Sequence, residues 1–359
     1  MLNWKAKIQA GLILIFVGWA TPVLSSPLHI LIDVRGNVEV KKAEWKRFDK
    51  AESGITLSGE DKVKLGSNAS LMIYCSDQNK RVVEGPGTYL VSEKCLPGKP
   101  TIRLCPSCNN DTRRLFGVKE EGLKQLPYLI SPRNTYVFNN PLTIRWNEVF
   151  GATLYKVKFE LGGWERETKK TQIVYDGELE PGDWNSIIIE ADNGATSSEV
   201  DAQNSWFQVL KDEEAKILRE QVAAIKGQEL SREQEGLVLA YFYRGKELNF
   251  EAIQVLEGLV KSKSQIATVY QLLGDIYLQV GLILMAKDVY QQGLALTMEE
   301  ENKEVKAMIQ WGLGEIEYLL DNKNGAVKWL EKAKVNYSAL GKQLNKKEKD
   351  LIKQVYGGS

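Results

Sequence analysis

The sequence predicts a multidomain chain: an N-terminal all-β roll or sandwich, a second β-sandwich of the immunoglobulin-like kind, and a C-terminal all-α superhelix of stacked hairpins. Three observations lead there. Gln265 to Leu296 carries apolar residues three or four apart, interrupted at Gly281, as two amphipathic helices in a tight hairpin would. The pattern returns on either side of that stretch. Residues 28 to 210 consist instead of short β-type runs separated by polar turns.

The amino end, residues 1–25, has the order of a secretory signal. Lys5 and Lys7 precede the apolar run Ile8 to Ala20, and Val23-Leu24-Ser25-Ser26 follows with small residues. The run is short for a membrane span, which needs about 20 apolar residues. The expectation is a cleaved signal and an exported chain, periplasmic or extracellular. An uncleaved anchor at the membrane is the alternative. With 47 basic and 47 acidic side chains, no global field favours nucleic acid. The single His29 argues against imidazole catalysis or a histidine metal site.

Residues 28–114 form the first expected domain. His29 to Val34, Val38 to Val40, Val63 to Leu65, Leu71 to Tyr74, Arg81 to Val83, Gly87 to Val91 and Thr101 to Leu104 read as strands. The series Gly36-x-Val38-x-Val40, Leu57-x-Gly59-x-Asp61-x-Val63, Asn68-x-x-Leu71 and Gly85-Pro86-Gly87 resembles the FecR-like domain over about sixty residues. One residue separates Gly59 from Asp61, where that family has the two adjacent. The resemblance implies a β-fold in an exported protein, in some members with a regulatory role, and no catalytic residues.

All four cysteines, Cys75, Cys95, Cys105 and Cys108, fall in this part. An even count in an exported chain favours disulfides. Of three possible pairings, Cys75–Cys95 would tie two β-runs and Cys105–Cys108 would close a very tight loop. A zinc site built from all four thiolates is a second reading, against which stands the irregular spacing. A redox CxxC is a third. After Cys108, Asn109-Asn110-Asp111-Thr112 favours a turn rather than the helix that would lower a thiol pKa. No metal or cofactor is expected.

Residues 129–210 form the second domain. Pro132 and Pro141 mark its entry, and strands are expected over Leu142–Trp146, Leu154–Leu161, Gln172–Tyr175, Ser186–Ala191 and Ser205–Leu210. The order Pro141-Leu142-x-Ile144-x-Trp146…Gly151-Ala152-x-x-Tyr155-x-Val157…Leu179-x-Pro181-Gly182 resembles bacterial fibronectin type III-like modules. There the tryptophan packs the core, so Trp146 is expected inside. Trp164 and Trp184 are better candidates for exposed rings.

The helical part opens with a linker helix in 212–230, whose Asp212-Glu213-Glu214 suits the positive end of a helix dipole. Within 231–340 a unit recurs. Leu273-Gly274, Tyr277, Ala286 and Tyr290 have counterparts 34 residues earlier in Leu239-Ala240, Tyr243, Ala252 and Leu256, and 40 residues later in Leu313-Gly314, Ala326 and Leu330. The extra residues of the longer step are placed near Glu299-Glu300-Glu301-Asn302. These offsets resemble three units of the tetratricopeptide (TPR) repeat. Residues 345–356 read as a polar helix covering the open end of the stack.

The TPR resemblance implies a concave groove lined by the first helix of each unit. By offset its residues are Tyr241, Arg244, Gln271, Asp275, Trp311, Glu315 and Tyr318, with Trp311 foremost. The expected partner is a protein or peptide. The chain lacks the GxxxxGK[ST], GxSxG and HExxH motifs, and no enzyme is expected. The functional expectation is an exported, non-enzymatic scaffold that binds through this groove. The alternatives are a FecR-like envelope signalling protein and a cysteine-based redox or zinc protein.

Overall fold

A computed structural model describes residues 28–96, 120–138, 141–199, 205–297 and 302–357. The expected signal, the run Thr101 to Leu104, Cys105, Cys108 and the acidic run Glu299 to Glu301 lie outside the described residues.

In the first β-part, β1 (His29–Arg35), β2 (Val38–Lys41), β3 (Asp49–Lys50), β4 (Thr56–Leu57), β5 (Lys62–Leu65), β6 (Ser70–Tyr74), β7 (Lys80–Glu84) and β8 (Gly87–Leu90) form two four-stranded antiparallel sheets. Their orders are β4-β1-β6-β7 and β3-β2-β5-β8. Alternation decides which side chains meet: Val38, Val40, Val63, Leu65, Leu71 and Ile73 are buried, and the residues between them face outward. Asp61 is buried and takes the amides of Ala43 at 2.9 Å and Ser58 at 2.8 Å, which locks two loops. β3 and β4 have two residues each, too few for an alternation to show in sequence. A short helix, α1 (Val91–Lys94), follows β8 in place of a continued strand at Val91. It ends at Cys95, which is bonded to Cys75 with a Cα–Cα distance of 5.5 Å, the pairing expected to tie two β-runs.

After α2 (Glu120–Leu123) comes the second sandwich: β9 (Leu129–Ser131), β10 (Thr135–Val137), β11 (Thr143–Trp146), β12 (Tyr155–Phe159), β13 (Glu165–Thr168), β14 (Gln172–Val174), β15 (Trp184–Ala191) and β16 (Trp206–Val209). Five strands, β10-β16-β15-β12-β13, face three, β14-β11-β9. Trp146 is 2% exposed and meets Tyr155 edge-on at 5.6 Å, as expected of a core ring. Trp184 is 56% exposed and leans on Trp206 at 4.6 Å, whereas Trp164 is half-buried against Phe159.

The helical part comprises α3 (Asp212–Lys226), then the hairpins α4/α5 (Arg232–Arg244, Asn249–Lys261), α6/α7 (Ala267–Gln279, Ile283–Leu296) and α8/α9 (Lys303–Leu319, Lys323–Leu340), and α10 (Lys346–Gly357). Ser231 caps α4 in a reciprocal box with Gln234. Gly281 turns α6 into α7 at φ +83°. Successive hairpins pack on each other through α5 with α6 and α7 with α8. The recurring small residues sit where helices cross. A Cβ on Gly274 would run into the Tyr290 ring, and one on Gly314 would lie 2.8 Å from Leu330. The corresponding Ala240 and Leu256 are fully buried. At the offset of Tyr277 stands Glu317, buried and held by Lys287 of the preceding hairpin at 3.1 Å.

The longer step between the second and third hairpins is taken up largely by helix, not by loop. α8 has 17 residues against 13 in α6 and begins earlier in the repeat. Its additional turn carries Lys303 and Glu304, which pair with Asp49 and Lys42 of the first sandwich.

Both sandwiches are fastened to the helices. In the first seam, Gly54 O accepts from Tyr241 OH at 2.8 Å, Leu340 O accepts from Lys46 N at 3.0 Å, and Glu52 accepts from Thr268 N at 3.4 Å. In the second, Tyr136 N donates to Glu247 O at 3.1 Å, Asn249 Nδ2 to Asn134 O at 2.9 Å, and Arg145 to Glu257 at 2.9 Å. Arg133, 3% exposed, donates to Val280 O at the turn after α6. One hydrophobic core runs from the first sandwich into the hairpins.

Each seam holds an acid whose second oxygen is buried without a partner: Glu52 in the first and Glu251 in the second. Burial pushes Glu52 up to about 7 and Glu251 up to about 8. Because the folded chain holds these protons more tightly than the unfolded one, stability falls as pH rises from about 4.5 to 8. Glu251→Gln should therefore leave the melting temperature nearly unchanged at pH 5 and raise it at pH 8.5. The gain is about 4–5 kcal/mol at most, since each tenfold tightening of proton binding on folding is worth about 1.4 kcal/mol. Thermal melts of the wild type and variant across that range check this; a difference independent of pH would refute it.

Candidate functional site

The first helices of the hairpins are engaged in two ways. The amino-terminal halves of α6 and α8, with the carboxyl end of α9, carry the first sandwich through Thr268, Glu304 and Leu340, and Tyr241 of α4 also carries it. The carboxyl-terminal halves of α4, α6 and α8 enclose a cavity of about 250 Å³. Arg244, Asp275, Trp311 and Glu315 line it, joined by Tyr290 and Tyr337 from the second helices of their hairpins.

Asp275 organises this cavity. Its Oδ1 accepts from Tyr290 OH at 2.7 Å, and its Oδ2 accepts from Gln271 Nε2 at 2.7 Å and Arg244 Nη1 at 3.4 Å. The Tyr290 ring is held between Gly274 of α6 and Gly312 of α8, since a Cβ on either would strike it. Burial, then the neighbouring Asp275, hold the Tyr290 phenol protonated far above the ordinary tyrosine range. Arg244 Nε is buried without a partner. Trp311 is half-buried, 6.3 Å from the Tyr337 ring, and rests on Ala326, Leu330 and Val355 of α9 and α10.

Of the seven residues placed in the groove by offset, four therefore share one cavity. The other three are engaged elsewhere. Tyr241 lies under Gly54 in the first seam. Gln271 is 2% exposed and supports Asp275 from behind. Tyr318 packs on the cluster that α10 completes. Offsets from a first-helix rule place no residue of a second helix in the wall, so they miss Tyr290 and Tyr337 as lining. The recurrence does mark Tyr290, as the plug between hairpins.

A larger hollow of about 500 Å³ lies where the second sandwich and the segment before it meet the helices, between Tyr128, Val260, Leu273, Tyr277, Met285 and Val289. Among the described residues, the ligand atoms of His29, Cys75 and Cys95 lie within 4.8 Å of one another. The two sulfurs are bonded to each other, and His29 Nδ1 accepts from Ser76 N at 3.1 Å. His29, whose being alone argues against a histidine metal centre, is thus a buried neighbour of the disulfide. Its imidazole is lowered by burial, countered in part by Asp77. Among the described residues no helix is long and apolar enough to cross a membrane. A buried disulfide fits an oxidising compartment.

The fold and site define a multidomain chain with a β-then-α layout and a helical wall that leaves one cavity open. No family model matches it. No curated protein matches it either. Among solved structures, fibronectin(III)-like modules of CbhA from Clostridium thermocellum align at 14% identity over 52% of this chain and 86% of that one, with a TM-score of 0.18. A polysaccharide lyase aligns at 10% identity over 91% of this chain and 56% of that one, with a TM-score of 0.19. Superpositions at these scores carry no argument, and the layout rests on the chain's own sheets and hairpins.

Proposed function

We propose that this is an exported, non-enzymatic scaffold: a FecR-like β-domain and a fibronectin-like sandwich brace a TPR-like array that binds a peptide segment of another protein. The observation that carries the reading is the cavity between α4, α6 and α8, where Arg244, Asp275, Trp311 and Glu315 converge beside aromatic rings. Aromatic and arginine side chains in a concave, partly desolvated wall are the usual anchors of peptide recognition. The first sandwich braces the array at Thr268, Glu304 and Leu340 and the second at α5 and the turns beside it, which lowers the ordering cost of binding.

Peptide display against the full chain tests it. Selected peptides should bind at least tenfold more weakly to Trp311→Ala, a loss of about 1.4 kcal/mol or more. Met308→Trp, which fills the same cavity without removing a ring, should act in the same direction. Binding unchanged in both variants, with the folded state intact by circular dichroism, would contradict the proposal.

A further inference from the structure

We infer that the outer face of α9 and α10 docks on an anionic lipid surface, with Lys328, Lys346 and Lys349 against headgroup phosphates and Val335 set among them. The charge of the chain is unevenly placed. Residues 323–353 hold nine lysines and three acids, an excess of six, while the 47 basic and 47 acidic side chains of the whole chain balance. Each of the three acids is already engaged. Glu348, 8% exposed, accepts from Lys342 at 3.3 Å and from Asn345 N at 2.7 Å. Glu331 accepts from Lys334 at 2.9 Å and from the Tyr356 hydroxyl, and Asp350 pairs with Lys353 at 3.9 Å. Lys328, Lys346, Lys347 and Lys349 are exposed, and no acid pairs with any of them among the described residues.

The two helices bring these lysines to one side. On α9, Lys328, Lys332 and Val335 are spaced by four and three, one stripe of a helix. On α10, Lys346, Lys349, Lys353 and Tyr356 keep the same spacing. α10 turns back along α9, since Glu348 meets Lys342 and the Tyr356 hydroxyl reaches Glu331. The other side of α10, with Leu351, Ile352 and Val355, packs on Ala326 and Leu330, so the lysine stripe is held facing solvent. Apolar groups stand in the same face. Val335 is 68% exposed and Tyr356 46%. Trp329 is half-buried beneath Lys332, whose Nζ lies 4.3 Å over its ring.

Lysines alone would suit any polyanion, and the apolar groups among them decide which. At a membrane interface, ammonium groups meet phosphates while rings and branched chains settle just below. A nucleic-acid backbone or an acidic peptide would leave Val335 in water. The charges are also spread: α9 has 18 residues, about 27 Å at 1.5 Å per residue, so its lysines lie along a surface and do not converge on one phosphate.

Co-sedimentation of the full chain with lipid vesicles tests this. Phosphatidylcholine vesicles containing phosphatidylglycerol should bind it at least tenfold more tightly than phosphatidylcholine alone at about 0.1 M salt. The difference should vanish near about 1 M, where the screening length falls to about 3 Å. Lys346→Gln with Lys349→Gln should weaken binding at least tenfold. Lys169→Gln with Lys170→Gln, which removes two exposed lysines from the second sandwich, should leave it unchanged. Polyglutamate and duplex DNA, offered at equal charge, should not displace the vesicles. No preference for the anionic vesicles, or equal losses in the two double variants, would overturn the inference. So would displacement by either competitor, which would assign the face to a soluble polyanion. None of these outcomes bears on the peptide cavity, whose test stands apart.

Discussion

Tyr290→Ala should cost about 3–5 kcal/mol and collapse the middle of the helical array, because it empties the space that three helices share. The ring is 1% exposed. It lies between two glycines, Gly274 and Gly312, so no neighbouring side chain stands ready to fill the hole. The substitution also takes one of three donors from Asp275, leaving a half-buried carboxylate with Gln271 and Arg244 alone. Tyr290→Phe separates the two contributions: the ring stays, and the expected loss is about 1–2 kcal/mol for the hydrogen bond. Gly312→Val attacks the same contact from the other side and should cost about 1–3 kcal/mol, through overpacking instead of a void. Denaturant unfolding followed by far-ultraviolet circular dichroism reads all three. Equal small losses in Tyr290→Ala and Tyr290→Phe would show that the ring is not the element on which the hairpins close.

Gly54→Val should release the first sandwich from the helices. Gly54 has φ +91°, and a Cβ there would lie 2.8 Å from Thr268 Cγ2 and 3.1 Å from Leu237 Cδ2. Its carbonyl holds the Tyr241 hydroxyl, and its amide donates to Leu31 O at 2.6 Å. Backbone strain and overpacking each amount to about 1–3 kcal/mol, for roughly 2–6 together. Gly151→Val is the matched comparison: φ is +79° with no atom within 4 Å of the new Cβ, so it carries strain without collision. The expected result is a single cooperative melt for wild type and Gly151→Val, and two transitions for Gly54→Val, with new protease cleavage near the first seam. One transition of unchanged midpoint in Gly54→Val would mean that the seam is not a source of stability.

The helical hairpins were legible because their signal is local. A period near 3.6, a turn glycine at Gly281, and small residues opposite large ones at fixed offsets all lie between Gln265 and Leu296. The sandwich strands with clean alternation, such as Val38 to Val40 and Tyr155 to Phe159, were legible for the same reason. β10 and β13 were not. β13 reads Glu-Arg-Glu-Thr at the sheet edge, with no buried face to mark it, and β10 is three residues paired in parallel with β16. Nor were the seams legible. Gly54 O, Val280 O and Leu340 O hold partners far away in sequence, and a backbone carbonyl leaves no residue type to read. This is why Tyr241, placed by offset on the same wall as Trp311, lies beneath the chain's own first sandwich. Offsets name first-helix residues, and only the folded chain shows which of them its own first sandwich covers.

Hydrogen exchange on the full chain, with and without a display-selected peptide, tests the central claim most directly. The account predicts added protection confined to the carboxyl-terminal half of α6 and to Met308–Glu315 of α8, with the two sandwiches unchanged. Protection that appeared on the outer helices or on the edge strand β13, and left Asp275 and Trp311 exchanging as before, would contradict it.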